Sequence, residues 1–170
     1  VSDDGVIAYT YTRPDHPADI VITGGKSDKR LTYLNEGLLD HRALGKVEEI
    51  WYKSSFDGRD LQGWIVYPPH YDPSKKFPMM VENHGGPILN YGDRFSAEMQ
   101  LYASAGYIVF YPNPRGSTSY GEEFANLLFN NYPGEDYNDV MDLTVPGFSV
   151  AGKSVASQYV VERLYLNRPQ

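Results

Sequence analysis

Three short runs hold the residue types that could do chemistry. The first is Val81-Glu82-Asn83-His84-Gly85-Gly86-Pro87. An apolar strand running into a histidine and two glycines puts permissive backbone at the carboxyl end of a sheet, where α/β proteins bind ligands. Glycines let backbone N–H groups approach a carbonyl oxygen that is gaining negative charge. A plain turn with a surface His84 is the competing account, and the triplet alone does not choose. The second run, Tyr111 to Phe124, is a loop rich in proline, glycine and serine that contains Arg115, Gly116, Tyr120 and Gly121. We read Arg115 as pairing a carboxylate or capping carbonyls inside the domain, in preference to binding a substrate carboxylate. The third run, Gly147-Phe148-Ser149-Val150-Ala151, is a near miss of the G-x-S-x-G turn that exposes a nucleophilic serine.

Ser149 makes a weak nucleophile candidate. Only Leu143, Thr144 and Val145 stand ahead of Pro146, too few for a central strand. A serine hydroxyl also needs a positioned base. In α/β-hydrolases the acid and then the histidine follow the serine. Downstream of Ser149 the only acid is Glu162, and His16, His41, His70 and His84 all lie upstream. We therefore assign no catalytic residue and expect no triad-dependent activity from these 170 residues alone.

Composition removes several other classes. With no cysteine there is no thiolate nucleophile, thiolate metal site or disulfide. A net charge of −7 opposes nucleic-acid binding, which needs basic side chains on phosphates. His16 with Asp15 and Asp19 is the one local acid and histidine cluster, and its prolines mark a loop. We expect no metal there. No phosphate-binding G-x-x-x-x-G-K-S/T loop exists, so no cofactor is expected. No window reaches the roughly 20 apolar residues of a membrane span. The polar start Val1-Ser2-Asp3-Asp4-Gly5 does not read as a signal peptide but as mid-pattern sequence of something longer. The compartment, cytoplasmic or exported, stays open.

These runs need elements to position them. Residues 3–34 read as antiparallel β: a strand over Val6 to Thr12, a second over Asp19 to Thr23 after Pro14 and Pro17, and a short third from Arg30. That is about one blade of a propeller or a sandwich edge. Residues 35–47 form a connector, closing a first unit over 1–47. A hairpin follows, Glu48 to Lys53 and Leu61 to Tyr67 around an Asp57-Gly58 turn. Met79 to Asn83 is a strand, Ser96 to Ala105 a helix with Ala97, Leu101 and Ala105 on its repeating face, and Tyr107 to Tyr111 a buried strand. A helix starts at Asp136. Strand, helix, strand, helix implies an α/β sheet with parallel pairing over 48–142. The tail, 143–170, reads as atypical, with an amphipathic helix over 153–166. A half-built sheet would leave open edges, so we expect self-association through them.

The runs F-P-M-M-V-E-N-H-G-G-P, Y-A-S-A-G-Y-I-V-F-Y-P-N-P-R-G-S-T-S-Y-G-E-E-F and G-E-D-Y-N-D-V-M-D occur in that order. Together they resemble the hydrolase domain of the prolyl oligopeptidase family, in particular its dipeptidyl aminopeptidase and acylaminoacyl peptidase branch. W-Y-K-S-S-F-D-G-R-D-L-Q-G-W-I-V-Y-P-P resembles that family's entry strands, and T-R-P-D-H-P-A-D-I-V-I the end of its propeller. The likeness runs over residues 3–142. It implies an α/β fold, a partial α/β-hydrolase sheet preceded by strands of the last propeller blade, and serine peptidase action on short peptides. By the same resemblance His84, Gly85 and Gly86 form the oxyanion-side loop. Arg115, Gly116, Tyr120 and Gly121 form an architectural motif, and Asp136 and Asp139 match the acids that open the next helix. Ser119 departs from the family pattern, which has glycine there. After Asp142 the pattern is lost. The alternative is a non-catalytic binding or structural protein derived from that fold.

Overall fold

The computed structural model describes residues 1–24, 27–85, 88–142, 149–150, 153–154 and 160–163. Three antiparallel strands come first: β1 (Ile7–Arg13), β2 (His16–Thr23) and β3 (Lys29–Arg30). The register shifts between Tyr11 and Arg13, which lets Pro17 sit inside β2 beside an irregular stretch rather than interrupting it. Asp19, 2% exposed, organises this sheet by accepting from Arg30 Nε at 2.9 Å, Thr32 Oγ1 at 2.6 Å and Leu34 N at 3.3 Å. Arg30 Nη2 lies 2.7 Å from His16 Nε2, which stands 3.4 Å from Asp19, and Asp15 pairs with Arg13 at 3.1 Å.

A one-turn helix α1 (Glu36–Leu39) lies in the connector. The main sheet contains β4 (Val47–Lys53), β5 (Asp60–Val66), β6 (Met79–Glu82), β7 (Ile108–Asn113) and β10 (Val160–Arg163), in the order β10-β6-β7-β5-β4. The pairs β6–β7 and β10–β6 are parallel, while β4–β5 and β5–β7 are antiparallel. Alternate residues build two cores. Ile50, Ile65, Met79, Val81, Ile108 and Phe110 fill one face, and Trp64, Val66, Val109 and Tyr111 the other, with Met99 and Ala103 of helix α2 (Ala97–Ser104) packed on them. Fully burying such a side chain contributes about 1.5–3 kcal/mol, so burial on both faces makes this sheet the stable body of the chain.

Two expectations are corrected. Helix α2, capped by Ser96 Oγ accepting from Met99 N, buries Met99, Gln100 and Ala103 and leaves Leu101 68% exposed. The 97, 101, 105 row and the 99, 103 row share the same helical spacing, and the sheet selected the second. Gln100 is held inward because its amide accepts from Gly45 N at 2.7 Å and donates to Gly45 O at 3.1 Å, tying the connector to the helix. The tail also departs from the expected helix over 153–166. Its described residues are strands: β8 (Ser149–Val150) and β9 (Lys153–Ser154) pair with each other, and β10 runs along β6. Val160 and Val161 are β-branched, and the bare edge of β6 offers unpaired backbone groups to any strand of that kind. The remaining residues of the expected helix lie outside the described ones.

Three short helical pieces complete the frame: α3 (Glu122–Ala125), a 3-10 turn (Asn126–Leu128) and α4 (Asp136–Met141).

Candidate functional site

Parallel pairing brings the carboxyl ends of β6 and β7 to one side of the sheet, with the start of β5 and the end of β4 beside them. The pairs Trp51↔Gln62 and Gln62↔Asn113 form one rung across three strands. Directly paired residues share a face, so their side chains can connect across the strands. They do. Asn113 is fully buried; its Nδ2 donates to Tyr120 Oη at 2.6 Å, and Tyr120 Oη donates to Gln62 Oε1. Gln62 Nε2 then donates to Glu49 Oε1 at 2.7 Å, which also accepts from Trp51 Nε1 at 2.8 Å.

His84 closes the inner end of this chain. It stands two residues past the end of β6, is half-buried, and sets Nε2 3.1 Å from Asn113 Oδ1 and 3.2 Å from Ser117 Oγ. Its ring stands edge-on to Tyr91 at 4.9 Å, and Tyr91 stands edge-on to Tyr111 at 5.2 Å. Burial pushes the imidazole's pKa down, opposed in part by Asn113 and the Gly85 backbone. Gly85 is half-buried beside it, and Gly86 lies outside the described residues.

Arg115 belongs to a second, ionic cluster. The guanidinium meets Asp139 in a two-pronged pair, Nε to Oδ2 at 2.8 Å and Nη2 to Oδ1 at 2.8 Å, and the Arg115 backbone N–H reaches the same Oδ2 at 2.9 Å. Ser54 Oγ donates to Asp139 Oδ1 at 2.7 Å, and Asp57 accepts two further guanidinium bonds at 3.2 Å. Arg115 is 4% exposed and Asp139 not at all, so no substrate carboxylate reaches this guanidinium. Asp139, the acid the sequence places in a helix's first turn, is turned to Arg115. Asp136 instead accepts from Gly134 N at 2.6 Å.

The rest of the motif is backbone. Gly116 (φ 88°) and Gly121 (φ 90°) take conformations that a Cβ disfavours. Ser119 sits at φ 81°, the left-handed region, which accounts physically for a glycine being the family's residue there. Ser149 lies in β8, paired with β9 in a two-stranded piece separate from the main sheet. The structure therefore brings His84 and Gly85 together with Tyr120, sets Arg115 in a cluster of its own, and puts Ser149 in neither. It adds Asn113, Gln62 and Ser117, which the sequence reading missed. The available signal was a polar residue ending the apolar run Ile108 to Tyr111. Among the described residues no group of three or more His, Cys, Asp or Glu side chains could hold a metal ion, and no helix is long and apolar enough to cross a membrane.

Residues 93–145, which carry the Arg115 motif and Asp139, match the model of the prolyl oligopeptidase family. An uncharacterized peptidase, YuxL, of Bacillus subtilis is 38% identical over 131 residues, covering 76% of this chain. The chain belongs to the prolyl oligopeptidase family. A dipeptidyl-peptidase 5 of Schizosaccharomyces pombe is 37% identical over 113 residues, 63% of this chain and 16% of that protein. The crystal structure of the Pyrococcus horikoshii acylaminoacyl peptidase superposes on 81% of this chain with a TM-score of 0.72 and 32% identity. The chain spans only about a fifth of such relatives: 20% of the B. subtilis protein and 22% of the P. horikoshii one. Arg115 and Asp139 fall inside the matched residues, and the tail lies largely beyond them.

Proposed function

We propose that this chain is the oxyanion-side part of a serine peptidase that hydrolyses short peptides by acyl transfer. The observation that carries the reading is the Gly85 backbone, set beside a half-buried His84 at the carboxyl end of a parallel strand pair. In such enzymes an H-G-G loop offers backbone N–H groups to the tetrahedral oxyanion, and the serine comes from a later strand-turn-helix. Residues 1–47 are the end of a propeller in this proposal, 48–142 the first half of the hydrolase domain, and short peptides the substrate class. Nucleophile, acid and base are to be supplied from outside residues 1–142.

A fluorophosphonate probe tests the proposal directly. The 170-residue chain is expected to stay unlabelled, and a longer polypeptide that adds a G-x-S-x-G turn and a late histidine is expected to label and to cleave peptides. Labelling of Ser149 in this chain, or an inert longer polypeptide, would refute it.

A further inference from the structure

The donors and acceptors around His84 have a direction that the backbone dictates. Tyr91 N–H can only donate, and it lies 2.7 Å from Asn113 Oδ1. The Tyr91 carbonyl can only accept, and it lies 3.0 Å from Asn113 Nδ2. Those two bonds fix the orientation of the Asn113 amide, since the flipped amide would set donor against donor and acceptor against acceptor. Oδ1 is therefore an acceptor toward His84 Nε2 at 3.1 Å, and Nε2 must carry the proton.

Ser117 gives the same answer independently. Its hydroxyl proton goes to the Pro114 carbonyl at 2.6 Å, so toward His84 Nε2, 3.2 Å away, Ser117 Oγ can only accept. Two acceptors share one imidazole N–H. A neutral ring protonated at Nε2 has its lone pair on Nδ1. That atom is buried and makes no hydrogen bond of normal geometry among the described residues, while the adjacent Gly85 backbone favours a protonated ring.

We propose that Asn113 is a positioning residue that holds His84 as the neutral Nε2–H imidazole, so that His84 orients the glycine loop and cannot itself donate to an oxyanion. The proposal rests on the peptidase reading only for its functional meaning. The imidazole's one proton is committed inward, and Nδ1 can meet only an N–H or O–H group. Charge on a reacting oxygen would then be met by backbone N–H groups and not by an imidazolium.

The test is nitrogen-15 NMR of the 170-residue chain with labelled histidine, the His84 signal assigned by its loss in His84→Gln. Near neutral pH a single form is expected, protonated at Nε2 and bare at Nδ1. A proton on Nδ1, or a doubly protonated ring at neutral pH, overturns the proposal. Ser117→Ala leaves Asn113 Oδ1 as the acceptor facing Nε2 and is expected to keep the tautomer. Removing both acceptors, in Asn113→Ala combined with Ser117→Ala, is expected to convert the single form into an exchanging mixture of both tautomers, in a chain whose backbone spectrum is otherwise folded. Loss of the tautomer in Ser117→Ala, or its persistence in the folded double variant, removes Asn113 from the role. Should the double variant not fold, the parent chain and Ser117→Ala still decide. The outcome is separable from the probe-labelling result, because the tautomer is read without any nucleophile.

Discussion

Two clusters leave the end of β7 within three residues of one another, and they are built on opposite principles. Arg115 and Asp139 form a charged clamp in which the guanidinium reaches Asp139, Ser54 and Asp57. His84, Asn113, Tyr120 and Gln62 form a neutral relay in which hydrogen bonds run in a set direction. Buried charge survives by saturation: the clamp draws the exit of β7, the β4–β5 turn and α4 together, and any loss leaves an unmatched ion. A neutral relay costs less to bury and defines orientation. The clamp serves architecture, and the relay serves aim.

The contrast is most easily broken at the clamp. Asp139→Ala leaves Arg115 buried without its main partner and is expected to cost about 3–5 kcal/mol, read as a fall in the urea midpoint. A cost below about 1 kcal/mol would mean the clamp holds nothing together. At the relay, Asn113→Ala removes the acceptor for the Tyr91 N–H and one donor to the Tyr91 carbonyl, and is expected to cost about 1–3 kcal/mol by the same measurement. Equal costs at the two sites would erase the distinction drawn here. Ser119→Gly, between the clusters, relieves a left-handed backbone and is expected to stabilise the chain by about 0.5–1 kcal/mol. The smallest effect belongs to Arg59→Ala. Its pair with Glu123 at 3.1 Å is open to water, with Glu123 72% exposed, so the change should stay within about 0.5 kcal/mol.

Acid sharpens the same comparison. Burial holds the His84 pKa below its usual value in the folded chain. The unfolded chain therefore binds more protons between that lowered value and about 6.5. Stability should be fully present above about 6.5 and fall as the pH drops through this window. His84→Gln should flatten that part of a plot of urea midpoint against pH, while Asp139→Ala should leave its slope in place.

Much of the frame could be read from residue order. Runs rich in β-branched and aromatic residues located β1, β4, β5 and β7, and the helix expected over Ser96 to Ala105 is α2 with its two cap residues. The glycine pair after β6 and the Arg115 motif marked the two loops that leave β6 and β7. The facing of α2 was misread because 97-101-105 and 99-103 are equally good helical rows; only the positions of β5 and β7 decide which one is wet. The tail was misread because Val160 to Arg163 fits either a helix or a strand, and the open edge of β6 favours the strand.

Local chemistry along the chain determined where strands run, where backbone must turn left-handed and which residues can carry charge, because those preferences act between near neighbours. Only the tertiary structure decided that Asp139 faces Arg115 and that Asn113 faces His84. Those partners are 24 and 29 residues apart: α4 meets the exit of β7 in the first pair, and the parallel pairing of β6 with β7 carries His84 to Asn113 in the second.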